Sequence, residues 1–225
     1  QEKVSEIKEE TKTQLTLSFT PLDLGLDSTH FRGLNMINSK DVWITGTDGT
    51  YIHYDGAEWE KGQIDSARGL DLRDVHAFED CKALAVTAGS PGKIFKTKNC
   101  GESWSEVYTN RDSLIFLDGM DFWKSERGVA FGDPMDGKIK LLYTENSGES
   151  WADFDTSNIP NALAVEAGFA ASGTGVIIFD SLIYIGLGGE RARFMRSSNF
   201  GESWQLIETP ILQGTGSKGI YSMAF

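Results

Sequence analysis

One eight-residue pattern occurs three times in this chain and constrains its fold more than any other feature. The copies are Thr97–Trp104, Thr144–Trp151 and Ser197–Trp204, and all three share Asn, Gly, Glu, Ser and Trp at the same places. A degenerate copy, Tyr54–Trp59, keeps only the Gly and the Trp. The four tryptophans lie 45, 47 and 53 residues apart, so the chain is built from repeats of one structural unit.

A second marker precedes each copy in phase. It is an apolar run that ends in glycine, found at Val42–Gly46, Ala85–Gly89, Val129–Gly132 and Ile183–Gly186. A period of 40–50 residues that carries four short strands is typical of a β-propeller blade. The composition agrees, because 25 of the 225 residues are Gly and only 5 are Pro, as expected for strands joined by tight turns. The predicted fold is an all-β propeller of four-stranded antiparallel blades.

Alternation and short apolar runs place the strands of each repeat. In the second repeat the predicted strands are Leu72–Glu79, Ala83–Thr87, Lys93–Lys96 and Trp104–Tyr108. In the third they are Phe116–Trp123, Gly128–Phe131, Lys138–Thr144 and Trp151–Phe154. In the fourth, a loop after Asn161 leads into an inner strand at about Phe169–Asp180.

These strands divide the chain into a polar spacer and a propeller. The spacer covers residues 1–13 and the propeller residues 14–225. The predicted blades are residues 31–62, 71–110, 115–158 and 165–209, and a further blade starts at 218–225.

The chemistry of the repeated motif is local and structural. Its Asn can hydrogen-bond backbone amides of a turn, and the Gly two residues later can adopt a positive φ without steric cost. The Trp then begins a strand and buries its ring against the neighbouring repeat. These structural residues are Asn99, Gly101, Trp104, Asn146, Gly148, Trp151, Asn199, Gly201 and Trp204.

The motif resembles the Asp-box, or bacterial neuraminidase repeat, Ser-x-Asp-x-Gly-x-Thr-Trp. Asn replaces Asp in all three good copies, which keeps the turn hydrogen bonds and removes three negative charges. From Phe31 onward the chain is similar to photosystem II stability/assembly factor-like propellers, in the segments Phe31–Leu34, Gly128–Pro134, Gly168–Thr174 and Gly219–Phe225. The resemblance is specific for the fold and nearly silent on function.

The end of the sequence repeats the beginning of a blade. Ile220–Phe225 aligns with the first strand of the earlier repeats, so four full blades and one strand of a fifth are predicted. In related propellers the N-terminal strand, here Gln14–Thr20, completes the last blade. We therefore expect this chain to be part of a longer protein with a six- or seven-bladed ring. The alternative is a closed ring of four or five blades with the N-terminal strand as its clasp.

The charge excludes two classes of partner. The chain carries 33 acidic and 21 basic residues, a net charge of −12, which argues against nucleic acid and against anionic lipid. The sequence has no apolar run of about 18 residues, so no transmembrane segment is expected. The polar start has no signal segment, so the protein is either cytoplasmic or has lost a targeting segment. The charged stretch before the first strand-like run resembles the spacer of a processed envelope protein, and the alternative is a frayed terminus. We expect a monomer that is periplasmic, attached to the cell envelope, or secreted.

The two cysteines, Cys81 and Cys100, fall in turns at the same end of one predicted blade. Two free thiols are the default interpretation for a cytosolic protein. The blade geometry favours a disulfide instead, since bent turns can bring the two Cα atoms within the ~7 Å that a bridge needs. A disulfide would indicate an oxidising compartment.

Residues for binding or catalysis are expected on the face opposite the motif turns, where loops enter the inner strands. They are Arg32, Arg73, Asp74, Asp118, Asp133, Asp136, Glu166, Arg191 and Arg193. Arg32 and Arg73 begin equivalent strands and can clamp a carboxylate or a partner's acidic tail. The alternative is that each arginine pairs with a neighbouring carboxylate such as Asp74 or Asp118.

The predicted function is a non-catalytic binding propeller of the cell envelope, which engages a protein segment or glycan at this open face. The alternative is a sialidase-like glycoside hydrolase that uses Asp133 and Glu166, although Phe31–Leu34 keeps only two of the four residues of the sialidase Phe/Tyr-Arg-Ile-Pro motif. No cofactor or metal is expected. Asp133 and Asp136 supply too few oxygens for a calcium loop, and the three histidines form no i,i+4 pair for zinc.

Overall fold

The computed structural model describes residues 16–123, 126–171 and 173–224, and it confirms the predicted fold as an all-β, multi-blade propeller. Blade 1 consists of β1 (Phe31–Asn38), β2 (Asp41–Gly46), β3 (Thr50–Tyr54) and β4 (Trp59–Gln63). Blade 2 consists of β5 (Asp71–Phe78), β6 (Lys82–Ala88), β7 (Gly92–Thr97) and β8 (Ser105–Asn110). Blade 3 consists of β9 (Leu117–Phe122), β10 (Gly128–Met135), β11 (Lys138–Thr144) and β12 (Ala152–Asp153).

Blade 4 is interrupted by a small second sheet. The blade itself contains β14 (Val176–Phe179), β15 (Leu182–Gly186), β17 (Arg193–Ser197) and β18 (Gln205–Glu208). The second sheet pairs β13 (Glu166–Ala167), β16 (Gly188–Gly189) and β19 (Thr215–Gly219). Short 3-10 helices span Asp65–Ala67, Thr156–Asn158 and Gly173–Gly175. In the part of the chain that the structure describes, no helix is long and apolar enough to cross a membrane.

The strands of each blade pair antiparallel in chain order, and the first strands lie side by side. Strand β1 lies against β5, β5 against β9, and β9 against β14, so these four inner strands surround a central channel. The core lies between the blades. Trp43 of blade 1 packs with Val75 and Ala77 of blade 2, and Phe131 of blade 3 packs with Val176 of blade 4.

Two of the differences between the predicted and the observed strands have a local cause. The outer strands after the motif tryptophans begin one residue later than expected, for example at Ser105 and not at Trp104. The inner strand of blade 4 begins at Val176, because Gly173–Gly175 forms a 3-10 turn where the strand was expected to continue from Phe169.

The two ends of the chain differ from the prediction as well. Residues 16–20 are exposed and form no strand, and residues 220–224 run beside blade 4 without a strand partner. Met223 N donates to Thr174 O at 3.1 Å, which holds this last segment against the blade. The polar spacer at residues 1–13, with Gln14, Leu15 and Phe225, lies outside the described residues.

The motif turns share one hydrogen-bond pattern. Thr97 Oγ1 accepts from Gly101 N at 2.9 Å, and Asn99 Oδ1 accepts from Ser103 N at 3.0 Å. The turns around Asn146 and Asn199 repeat both bonds. The local turn chemistry is therefore the same in blades 2, 3 and 4.

The tryptophan that follows each turn is placed to pack across a blade junction. Trp104 of blade 2 meets Trp43 of blade 1 at 6.0 Å between ring centroids, and Trp204 of blade 4 meets Phe154 of blade 3 at 6.1 Å. Burial of these aromatic rings between neighbours joins one repeat to the next.

Cys81 and Cys100 form a disulfide with a Cα–Cα distance of 4.4 Å. Cys81 lies in the turn between β5 and β6, and Cys100 in the motif turn between β7 and β8. Cys100 N also donates to Cys81 O at 3.0 Å. The bridge ties together the two turns at one end of blade 2.

Candidate functional site

Three inner strands carry a β-bulge at the same place, near the end of the channel opposite the motif turns. At each bulge the pairing with the second strand slips by one residue, which leaves one extra residue on the inner strand. The extra residues are Arg32 in β1, Arg73 in β5 and Asp118 in β9. Because a bulge re-aims a side chain, these equivalent positions present charged groups at the mouth of the channel.

A cavity of about 390 Å³ opens at this mouth. It is lined by the three bulge residues together with Asp133, Phe116 and Phe169. The sequence placed Arg32, Arg73, Asp118 and Asp133 on one face, and the structure brings them into this single cavity. We call it the funnel site.

The two arginines of the funnel site differ in their contacts. Arg73 is partly buried, and its Nη1 donates to Ala170 O at 3.3 Å while its Nη2 lies 3.4 Å from Asp71 Oδ2. Arg32 is exposed, and none of the described residues accepts a hydrogen bond from its guanidinium. Arg73 therefore forms the predicted pair with a neighbouring carboxylate, although the acid is Asp71 and not Asp74 or Asp118, whereas Arg32 pairs with none of the described residues. The donors of Arg32 are available to an external acceptor.

Asp118 lies in the wall of the funnel site with an unusual environment. It is 1% exposed, and neither of its carboxyl oxygens receives a hydrogen bond from a described residue. Burial raises the pKa of Asp118 well above its usual range, the charge of Asp133 raises it further, and Arg73 opposes both effects. A buried carboxyl in this state holds its proton more readily and can donate a hydrogen bond.

Asp133 is the second carboxyl of the funnel site. Its Oδ1 accepts from Gly168 N at 2.9 Å, and burial raises its pKa while that hydrogen bond lowers it. Asp118 and Asp133 therefore titrate as an interacting pair. Such a pair can bind a polar ligand or move a proton.

A second cavity of about 390 Å³ continues into the central channel. Asp74, His76 and Asp121 line it. Asp74 Oδ2 accepts from Met120 N at 2.8 Å and Oδ1 from Val75 N at 2.8 Å, and burial raises its pKa to about 7. Burial also disfavours the charged form of the histidine and so lowers the pKa of His76 to about 4.

These channel carboxylates join the blades. Asp121 Oδ2 accepts from Ile178 N of blade 4 at 2.7 Å, and burial raises the pKa of Asp121 to about 6. Asn35 Oδ1 accepts in the same way from Ala77 N of blade 2 at 3.2 Å. The sequence proposed Asp74 as a ligand-binding residue, but its oxygens are engaged by backbone amides in the wall of the channel.

Glu166 and Arg193 are bound to each other. Arg193 Nε donates to Glu166 Oε1 at 2.6 Å, and Nη2 donates to Oε2 at 2.8 Å. Leu163 N donates to Oε2 as well, and the Glu166 side chain is fully buried. The hydrogen bonds that Arg193 donates to Glu166 raise the pKa of Arg193. This occupied pair leaves the Glu166 carboxylate no free position for a substrate.

The two remaining candidates lie apart from the funnel site. Asp136 takes a positive φ of 51° in the turn from β10 to β11, next to Gly137 at 76°, which is a turn-forming role. Arg191 is exposed between β16 and β17. Over residues 16–123, 126–171 and 173–224, no group of three or more His, Cys, Asp or Glu side chains is arranged to hold a metal ion.

Sequence analysis missed Asp121 and His76 as channel residues. Both stand at the position of Asn35 in their own inner strands, three residues after the bulge. Polar residues at one repeated position of otherwise apolar strands were the available signal.

Comparison with known proteins identifies the fold and does not identify the function. No family model matches the chain, and no curated protein matches it. Several solved structures are similar to the chain. YCF48 from Cyanidioschyzon merolae superposes with a TM-score of 0.52 and 13% identity over 80% of this chain and 57% of its own.

Two glycoside hydrolase structures are also similar. The GH74 enzyme of Niastella koreensis has a TM-score of 0.56 and 16% identity over 82% of this chain and 25% of its own. An ancestral GH74 enzyme has a TM-score of 0.52 and 16% identity over 77% and 23%. The chain therefore spans little more than half of YCF48 and about a quarter of each enzyme. At these identities the likeness shows a β-propeller fold.

Proposed function

We propose that this protein is a non-catalytic binding propeller of the cell envelope that engages a protein segment at the funnel site. One observation carries the proposal. Arg32 is an exposed guanidinium with no acceptor among the described residues, and it stands at the mouth of a cavity of about 390 Å³. A free guanidinium fork above a cavity recognises a carboxylate more effectively than a lone ammonium does.

The walls of the cavity define the segment further. Phe116 and Phe169 are half-buried there and offer apolar surface beside Arg32 and Arg73. An extended segment with an acidic side chain or a free carboxyl end can place its carboxylate on Arg32 and its neighbours on these rings.

The cell-envelope location is supported by the disulfide between Cys81 and Cys100. Disulfides persist in secreted and periplasmic proteins and are rare where thiols are kept reduced. The polar stretch at residues 1–13 is consistent with a spacer that precedes an envelope domain.

The proposal is tested by fluorescence anisotropy with labelled acidic decapeptides, including versions with an amidated end. Arg32→Glu should weaken their binding at least tenfold, because it replaces a charge-assisted hydrogen bond with repulsion. Lys40→Glu is the matched control, since it reverses one charge at the opposite end of blade 1. Equal binding by the Arg32→Glu variant and the native protein would remove Arg32 from the site.

A glycoside hydrolase is the second candidate, because Asp118 and Asp133 form an interacting carboxyl pair with raised pKa values. Glu166, the partner that the sequence suggested for Asp133, is instead bound to Arg193. Fluorogenic glycosides, including sialosides, test this candidate. Turnover by the native protein that Asp133→Asn abolishes would replace the binding proposal with catalysis.

A further inference from the structure

A groove between blades 3 and 4 forms a cavity of about 440 Å³ on the side of the motif turns, away from the funnel site. Its size falls within the range of small-molecule sites, about 300–1,000 Å³. Four aromatic rings line it, from Trp123, Tyr143, Phe154 and Phe200. Tyr143 is 37% exposed and Phe200 43% exposed, so both rings are accessible from solvent.

Phe200 occupies a backbone position that disfavours it. Its φ is +57°, the left-handed region, where the other motif turns place Cys100 and Ser147. A bulky side chain in this conformation costs stability, and such strain concentrates at functional sites. The ring nevertheless lies 5.8 Å from Trp123 across the groove, where it forms part of the aromatic wall.

The neighbouring junction, between blades 2 and 3, shows what the groove lacks. There the glutamate of the motif, Glu149, is bound by Lys96 Nζ at 2.5 Å and by Lys98 Nζ at 2.8 Å. At the junction of blades 3 and 4, Glu202 is the glutamate of the motif. Tyr143 stands at the position of the first lysine and Glu145 at the position of the second. Both lysines are replaced, and among the described residues no cation pairs with Glu145 or Glu202.

The groove also holds one cation that binds to rings and to no carboxylate. The guanidinium of Arg127 lies 5.2 Å from the ring of Trp123 and 5.1 Å from that of Phe200. No described carboxylate lies within ion-pair distance of it. Arg127 lines the cavity together with Glu145 and Glu202, which pair with no cation among the described residues.

Two further carboxylates line the groove, but Asp153 is bound by Lys140 and Asp155 accepts from Ser157 N. The remaining charges, which are of both signs and are unpaired among the described residues, select against a charged ligand. An anion would be repelled by the carboxylates, and a cation would compete with Arg127 for the aromatic rings. A neutral ligand with many hydroxyls meets neither obstacle, because a hydroxyl donates to a carboxylate and accepts from a guanidinium. Its C–H faces can pack on Tyr143 and Phe200.

We propose that this groove binds a neutral carbohydrate chain. Pyranose rings lie against Tyr143 and Phe200, and their hydroxyls donate to Glu145 and Glu202 and accept from Arg127. The site is separate from the funnel site and does not depend on the function proposed for it.

Isothermal titration with soluble neutral hexasaccharides of glucose, xylose, mannose and N-acetylglucosamine tests the proposal. At least one of these hexasaccharides should bind, and the double variant Tyr143→Ala with Phe200→Ala should weaken its binding tenfold or more. Phe179→Ala is the matched control, because Phe179 is 57% exposed and does not line the groove. Arg32→Glu should leave saccharide binding unchanged, which separates this site from the funnel site.

Three results would overturn the proposal. The first is that no hexasaccharide binds at 5 mM, on the order of the weakest affinity such a pocket would use. The second is saccharide binding that survives the Tyr143 and Phe200 changes and is lost on Arg32→Glu. The third is binding of a tetralysine peptide to the groove without binding of any saccharide, which would assign the carboxylates to a cationic partner.

Discussion

The carboxylate of Asp74 accepts a hydrogen bond of 2.8 Å from the backbone amide of Met120, 46 residues further along the chain and in the next blade. Asp121 makes the same connection to Ile178 in blade 4. Asp74 is buried and Asp121 is half-buried, and burial raises the pKa of Asp74 to about 7 and that of Asp121 to about 6. The junctions between the blades therefore depend on groups that titrate near neutrality.

We expect the free energy of unfolding to fall between pH 5 and pH 8. Because the pKa of Asp74 is higher in the folded than in the unfolded protein, the folded state binds its proton more tightly. This contribution is complete below about pH 4 and is lost as the pH rises through 7, and Asp121 acts in the same direction. His76 opposes this loss up to about pH 6.5, because burial lowers its pKa to about 4. Urea unfolding at four pH values should therefore show a net loss of about 2 kcal/mol.

Asp74→Asn provides the comparison for that pH profile. The amide does not titrate, so the slope between pH 5 and pH 8 should be smaller than in the native protein. Asp55→Asn is the control, because the pKa of the exposed Asp55 is lowered by backbone hydrogen bonds and its titration lies below this window. Identical slopes in the native protein and the Asp74→Asn variant would show that Asp74 is not the titrating group.

Removal of one hydroxyl from a motif turn should destabilise the protein. Thr97→Val keeps the shape of the side chain but removes the acceptor for Gly101 N and Asn99 N. We expect a loss of about 1–3 kcal/mol, the cost of buried amide groups without a partner. Thr97→Ser should cost much less, since Ser197 makes the same bonds in blade 4. Equal losses for the two variants in urea unfolding would contradict the assigned role of the hydroxyl.

Replacement of Cys81 and Cys100 by serine should lower the free energy of unfolding by about 3 kcal/mol. The bridge closes a loop with a sequence separation of 19, and loops of this size are stabilised mainly through the unfolded chain. Differential scanning calorimetry with and without reductant measures the effect. Two free thiols in the native, unreduced protein would show that the bridge does not form.

The ion pair of Glu166 and Arg193 should contribute as a unit. Glu166→Gln leaves a buried guanidinium without its carboxylate, which costs about 3–5 kcal/mol. The double variant Glu166→Leu with Arg193→Met removes both charges and should be more stable than Glu166→Gln alone. Unfolding in guanidinium chloride measures the free energy of unfolding of both variants. If Glu166→Gln costs less than about 1 kcal/mol, the pair is not a buried interaction.

The repeat and its turns could be predicted from sequence because their chemistry is local. Asn99, Gly101 and Trp104 are close in the chain, and the same spacing recurs at Asn146 and Asn199. The position of Arg32 and Arg73 at equivalent strand starts could be predicted for the same reason. Local chemistry thus accounts for the blades and for one part of the funnel site.

The features of the fold and of the candidate site that could not be predicted depend on contacts between segments that are distant in the sequence. The bulge that adds Asp118 to the two arginines is a slip of strand register, which leaves no mark in the sequence. The pairing of Glu166 with Arg193 joins residues 27 apart across the small second sheet. The inner strand of blade 4 began later than predicted because Gly173–Gly175 turns over the channel, where Gly173 lies against the carboxylate of Asp74.

The left-handed backbone at Phe200 gives a test that separates strain from packing. Phe200→Asn and Phe200→Ala both remove the contact with Trp123, but asparagine adopts a φ of +57° far more readily than alanine does. We expect the asparagine variant to be more stable than the alanine variant by about 0.5–1 kcal/mol in thermal unfolding. At Phe179, which lies in the extended strand β14, the same two substitutions should show no such advantage for asparagine. Equal stability of the two Phe200 variants would show that the positive φ at this position carries no cost in stability for a residue other than glycine.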